Sequence, residues 1–233
     1  MTMLFNLLQA AETAAEIPAQ ALPQEMDFSL IEMAVKGGWL MLVLLILSIM
    51  AIYIFGNKWW MIRRAGKIDK NFMKDIHDLI YEGKIKSAMA LCQKYDSPVA
   101  RLVEKGVERI GRPLTDIQTA VENMGNVEVA RLEKGLPMLA TIAGGAPMIG
   151  FLGTVTGMIR AFFEMANAGN NIDITLLSGG IYEAMVTTVG GLFVGIIAYF
   201  GYNYLTSQIS NLVFKMESTT IEFIDMLHEP AGR

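Results

Sequence analysis

The chain has 233 residues, 53% of them hydrophobic, a positive mean hydropathy and a net charge of −4. That is too apolar for an ordinary soluble domain, and the acidic balance offers no basic platform for nucleic acid. A single cysteine, Cys92, excludes an intrachain disulfide, and neither His77 nor His228 stands at metal-ligand spacing, so no cofactor or metal is expected.

Residues 1–36 open with "MTMLFNLLQAAETAAEIPAQA", an apolar and small-residue stretch without the positively charged start of a signal peptide. It reads as an outward-facing segment carrying Glu12, Glu16, Glu25, Asp27 and Glu32 against a lone Lys36. Three windows without a charged residue follow, at 37–57, 135–159 and 184–214. Each reaches the roughly 20 residues that span the hydrocarbon core. They predict transmembrane helices at 37–57, 136–165 and 175–206, an all-α membrane protein with no convincing strand signal.

Of 19 lysines and arginines, 15 lie between Lys58 and Lys134, and the link 166–174 has none. Positive charge stays cytoplasmic, so the N-terminus and the 166–174 loop are expected to face outward. The region 58–135 and the tail 207–233 are then cytoplasmic.

The first span, "GGWLMLVLLILSIMAIYIFGNKWW", is rich in Leu, Ile and Met, with Trp39, Trp59 and Trp60 as interfacial anchors among membrane lipids. It reads as a lipid-facing anchor. The 58–135 region reads as a helical domain punctuated by Gly83, by Ser97-Pro98 as an N-cap with proline at the first helical position, and by Arg112-Pro113. The uncharged window 184–214 would measure roughly 46 Å as a helix against about 30 Å of hydrocarbon. Its helix is therefore expected to continue past the membrane and pack against the long helix leading into span two.

Spans two and three differ in kind from the first. In "LPMLATIAGGAPMIGFLGTVTGMIRAFF" the residues Ala146, Gly150, Gly153, Thr154 and Gly157 fall on one helical face. In span three Gly180, Ala184, Thr187, Thr188, Gly191, Gly195 and Ala198 do the same, while Tyr182, Met185, Val189 and Phe193 occupy the opposite side. Small faces let helix backbones approach in lipid. Gly150, Gly153, Gly157, Gly191 and Gly195 are thus expected to serve close packing. Glu183 stands at the edge of the small face with Thr187 one turn on, and a carboxylate at membrane depth is by default functional. Arg160 and Glu164, one turn apart, read as a snorkelling arginine with its partner. No nucleophile–base pair or phosphate loop is visible, so catalysis is not expected.

The blocks "RLEKGLPMLATIAGGAPMIGFLGTVTGMIRAF" and "GGIYEAMVTTVGGLFVGIIAYFGYNYL" resemble the ExbB/TolQ/MotA proton-channel family, most nearly its ExbB branch, over roughly 70–215. Three spans with a large insert between the first two fit ExbB and TolQ rather than four-span MotA. The resemblance implies a homopentamer around a central pore, lined by the second and third helices. A dimer of single-span ExbD-type partners would occupy that pore and carry the essential aspartate. By motif position, Thr154 of "LGTV", Glu183 of "IYEA" and Thr188 match the family's polar pore residues; Thr187 joins the ion-pathway candidates by helical proximity alone. Pro137 departs from the family pattern, which leaves the course of the helix into span two open. The function implied is to energise outer-membrane transport through a TonB-like, periplasm-spanning protein. A TolQ-like role in envelope constriction and a non-conducting scaffold stand as alternatives.

Overall fold

The computed structural model describes residues 38–66, 69, 71–167 and 174–228. The expectations for 1–36 and for most of the 166–174 link lie outside the described residues. Among the described residues seven α-helices follow in chain order: α1 Gly38–Ala65, α2 Phe72–Tyr81, α3 Ile85–Lys94, α4 Pro98–Val107, α5 Leu114–Glu133, α6 Leu136–Asn167 and α7 Ile174–His228. There is no strand among the described residues. Among the described residues three helical stretches are long and apolar enough to cross a membrane, and they include α1 and the apolar lengths of α6 and α7.

α6 and α7 lie side by side along their apolar lengths, with α1 against α7. α1 buries Leu40, Leu44 and Ala51 and leaves Leu42, Leu45, Ile49, Ile52 and Tyr53 exposed. Leu, Ile and Tyr surface turned outward in this way suits lipid or a neighbouring apolar chain, where no hydrophobic penalty opposes exposure.

α7 runs unbroken for 55 residues, so its apolar half and its polar half are one rod. The second half packs on α4 and α5, with Leu205, Ile209, Leu212, Met216 and Phe223 buried. Phe223 lies directly over Gly106 of α4, and any side chain at 106 would enter its ring. Burying a phenylalanine of this kind is worth about 1.5–3 kcal/mol.

The helix leading into span two is broken rather than continuous. α5 ends at Glu133, Gly135 takes φ +93, and α6 starts at Leu136 with Pro137 in its first turn. Proline is tolerated there because its missing N–H has no helical partner to lose, and glycine adopts positive φ without a Cβ clash. The break leaves the last carbonyls of α5 without intrahelical donors. Lys58 of α1 supplies them, donating from Nζ to Arg131 O at 3.2 Å and Leu132 O at 3.1 Å.

A charge network fastens the same corner. Glu128 is 1% exposed and accepts from Arg101 Nε at 2.9 Å, Arg101 Nη2 at 2.7 Å and Arg131 Nη1 at 3.1 Å. Arg101 also donates to Asp96 at 3.0 Å, and Arg64 at the end of α1 pairs with Asp96 at 3.4 Å. Its hydrogen bond to Glu128 raises the Arg101 pKa above its usual value. Ser97 occupies the cap position of α4, yet its buried hydroxyl does not cap that helix. It donates to Ala65 O at 3.0 Å, closing the end of α1 instead.

Candidate functional site

The α6–α7 seam is where glycine allows backbone to meet backbone. A Cβ at Gly191 would lie 2.6 Å from Ala146 O and 2.8 Å from Gly150 Cα, and one at Gly150 would lie 3.1 Å from Thr187 O. Farther along, a Cβ at Gly195 would stand 2.5 Å from the Pro147 ring. Pro147 interrupts the hydrogen-bond ladder of α6 inside the helix, and α7 approaches at that point. Gly153 packs on the Thr187 methyl and Gly157 on Ala184. All five glycines singled out in the sequence therefore sit in the seam of a single chain, packing helix on helix.

The threonines divide into three settings. Thr188 is half-buried and donates across the seam to Gly150 O at 2.9 Å, a side-chain bond that ties the two apolar helices together. Thr187 is 2% exposed, with its hydroxyl donating to Glu183 O at 2.9 Å. Thr154 is half-buried and turned onto its own helix, donating to Phe151 O at 2.6 Å.

Glu183 looks elsewhere. Its carboxylate lines a crevice of about 450 Å³ between the start of α1, α6 and α7. One carboxylate oxygen lies against Gly38, whose φ of +67 and lack of a side chain leave room for it. The positive end of the α1 dipole therefore adjoins the carboxylate, a favourable arrangement for an anion. The crevice also holds Thr156, Arg160 and Glu164 from α6, and Arg160 Nε donates to Glu164 at 3.1 Å. A helix-end position with further polar groups lets a carboxylate remain at the margin of an apolar layer without full desolvation.

The structure thus brings Glu183 together with Thr187, but does not place Thr154 or Thr188 in the same crevice. Thr156, Arg160 and Glu164 are the members that sequence reasoning did not join to Glu183. Their four-residue steps put them on one stripe of α6, a signal present in the sequence whose phase toward α7 only the packing reveals. No group of three or more metal-ligating side chains occurs among the described residues.

The family model described as the MotA/TolQ/ExbB proton channel family matches residues 94–218, which cover α4 to most of α7. The chain belongs to the MotA/TolQ/ExbB proton channel family. It is 29% identical to the putative biopolymer transport protein ExbB-like 1 of Synechocystis, over 86% of this chain and 82% of the relative. It is 27% identical to a putative biopolymer transport protein ExbB homolog of Methanothermobacter thermautotrophicus, over 81% and 67%. The Tol-Pal system protein TolQ of Pseudomonas aeruginosa is 24% identical over 88% of this chain and 96% of its own. The protein is accordingly a membrane protein of the proton-channel, energising class of ExbB and TolQ.

Proposed function

We propose that this chain is the pore-forming subunit of a proton-driven motor complex in a bacterial inner membrane, with its N-terminus periplasmic and its C-terminus cytoplasmic. Five copies would surround an ExbD-type single-span dimer, and the energy would pass through a TonB-like protein to outer-membrane transport. The observation that supports this reading best is Glu183 in a polar crevice at the end of a glycine-packed helix pair, tied by the Thr188–Gly150 bond. A rigid pair with the Glu183 carboxylate at its margin suits a cage that positions and tunes a proton path, while a partner's carboxylate carries the proton itself. Glu183, Thr154, Thr188 and Thr187 are the residues proposed to line or shape that path.

The long match to TolQ favours, as a second reading, the same architecture serving envelope constriction. Purification of the intact complex in mild detergent, with its mass and the identity of the co-purifying single-span chain, separates the two. A pentamer mass with an ExbD-type chain and a TonB-like protein supports import. A TolA-like protein supports constriction. A homo-oligomer with no single-span partner contradicts both.

A further inference from the structure

Away from the Glu183 crevice, two cavities meet along the contact of α1 with α7. The first is an apolar groove of about 430 Å³, lined by Ile52, Phe55, Ile197 and Gly201 among others and ending at Tyr204. Gly201 keeps it open, since a Cβ there would stand 3.0 Å from the Phe55 ring. The second, of about 290 Å³, begins at the same Tyr204 and is lined by Trp59, Arg63, Gln208, Asn211 and Lys215.

The second cavity has a single sign of charge. No acidic residue lines it, and among the described residues neither Arg63 nor Lys215 makes an ion pair. The contrast lies one residue away, where Arg64 is engaged by Asp96. Arg63 stacks on Trp59 with its guanidinium 4.2 Å from the ring centre, which holds it at the rim and leaves its N–H fork free for an oxyanion. Gln208 and Asn211 add amide donors from α7.

We propose that the two cavities form one binding site for an anionic phospholipid, its acyl chain in the α1–α7 groove and its phosphate between Arg63 and Lys215. Charge complementarity and continuity with an apolar slot identify the occupant. A soluble phosphate would use only the basic half, and a zwitterionic lipid would gain less from two unpaired cations. The site staples α1 to α7 at the level where the apolar half of the 55-residue rod gives way to the polar half. Each basic residue near an anionic headgroup raises the local preference roughly fivefold, so the pair is expected to favour anionic over zwitterionic lipid by about tenfold or more.

Trp59 is a built-in reporter. The full chain carrying Trp39→Phe and Trp60→Phe retains Trp59 alone. It is reconstituted into phosphatidylcholine vesicles containing graded amounts of brominated phosphatidylglycerol or brominated phosphatidylcholine. Quenching by the brominated anionic lipid at roughly tenfold lower mole fraction supports the site. So does a fall to equal quenching in R63Q/K215Q, with the preference retained in R63K/K215R and with millimolar glycerol phosphate having no effect. Equal quenching by both lipids in the parent overturns the proposal whether or not the variants fold. Displacement by soluble glycerol phosphate overturns it in favour of a free-phosphate site, and an undiminished preference in R63Q/K215Q overturns the assigned cations.

Discussion

Replacing Arg101 by Met removes two of the three hydrogen bonds on a carboxylate that is 1% exposed. Breaking a buried ion pair from one side costs about 3–5 kcal/mol, because the remaining charge keeps its desolvation penalty. Arg131 still donates to Glu128, and the Arg101 side chain is 26% exposed, so the lower end applies, about 3 kcal/mol. Cys92 offers a direct assay. It is 1% exposed in the same core as Val99 and Val103 of α4, and burial, followed by the Glu104 charge, pushes its pKa up to about 12. Native Cys92 is therefore inert toward maleimide near neutral pH, and labelling reports opening of the helical bundle. A loss of about 3 kcal/mol translates into labelling roughly a hundredfold faster in R101M. The R101M/E128M double variant, which leaves no buried charge, should return most of the way to the parent rate. Parent-like labelling of R101M, or a double variant as fast as the single one, would refute the reasoning.

The same thiol sets a pH dependence: unfolded Cys92 releases its proton above roughly 8.5 while the folded one holds it to about 12. Stability from this group is therefore full below roughly pH 8.5 and declines as pH rises toward the folded value, and a Cys92→Ala protein should show a flatter Tm profile over pH 9–11. Gly191→Leu drives a side chain into Ala146 O and Gly150 Cα, so the complex should fail to assemble or lose at least about 3 kcal/mol in detergent thermal scans. Gly144→Ala, with nothing within 4 Å of the added methyl, should be neutral or stabilising by up to about 1 kcal/mol. Lys58→Met leaves the last carbonyls of α5 without their donor and should lower stability by about 1–2 kcal/mol, seen as faster Cys92 labelling, with Lys58→Arg recovering part of the loss.

The three apolar helices were legible because charge is the strongest signal a membrane sequence carries. Long uncharged windows leave few alternatives, and the glycine stripes at three- and four-residue spacing pointed to the faces that pack. The break at Gly135 was partly legible, since Gly135 followed by Pro137 is a helix stop and start, and Pro137 already left the course of the helix into span two open. Ser97 was correctly placed at a helix start, but not its bond, because Ala65 comes from 32 residues away. Glu128 gave no signal at all: within a polar helix it looks solvated, and only Arg101 from α4 reveals it as buried. The crevice neighbours of Glu183 went unread for a related reason. Motif position grouped it with Thr154 and Thr188, whereas the phase of α6 against α7 and the start of α1 group it with Thr156, Arg160 and Glu164.

Proton flux through the reconstituted complex, compared between the parent and Glu183→Gln, tests the central claim most directly. Glutamine keeps the size and hydrogen-bonding reach of the side chain at the Gly38 and Arg160 crevice but removes its titration. If Glu183 tunes the proton path, a pH-sensitive dye inside the vesicles should record a loss of driven flux of at least tenfold, while the mass of the complex and its thermal stability stay at parent values. Undiminished flux in an intact Glu183→Gln complex would contradict the account and leave Glu183 a packing and solubility residue at the mouth of a helix pair.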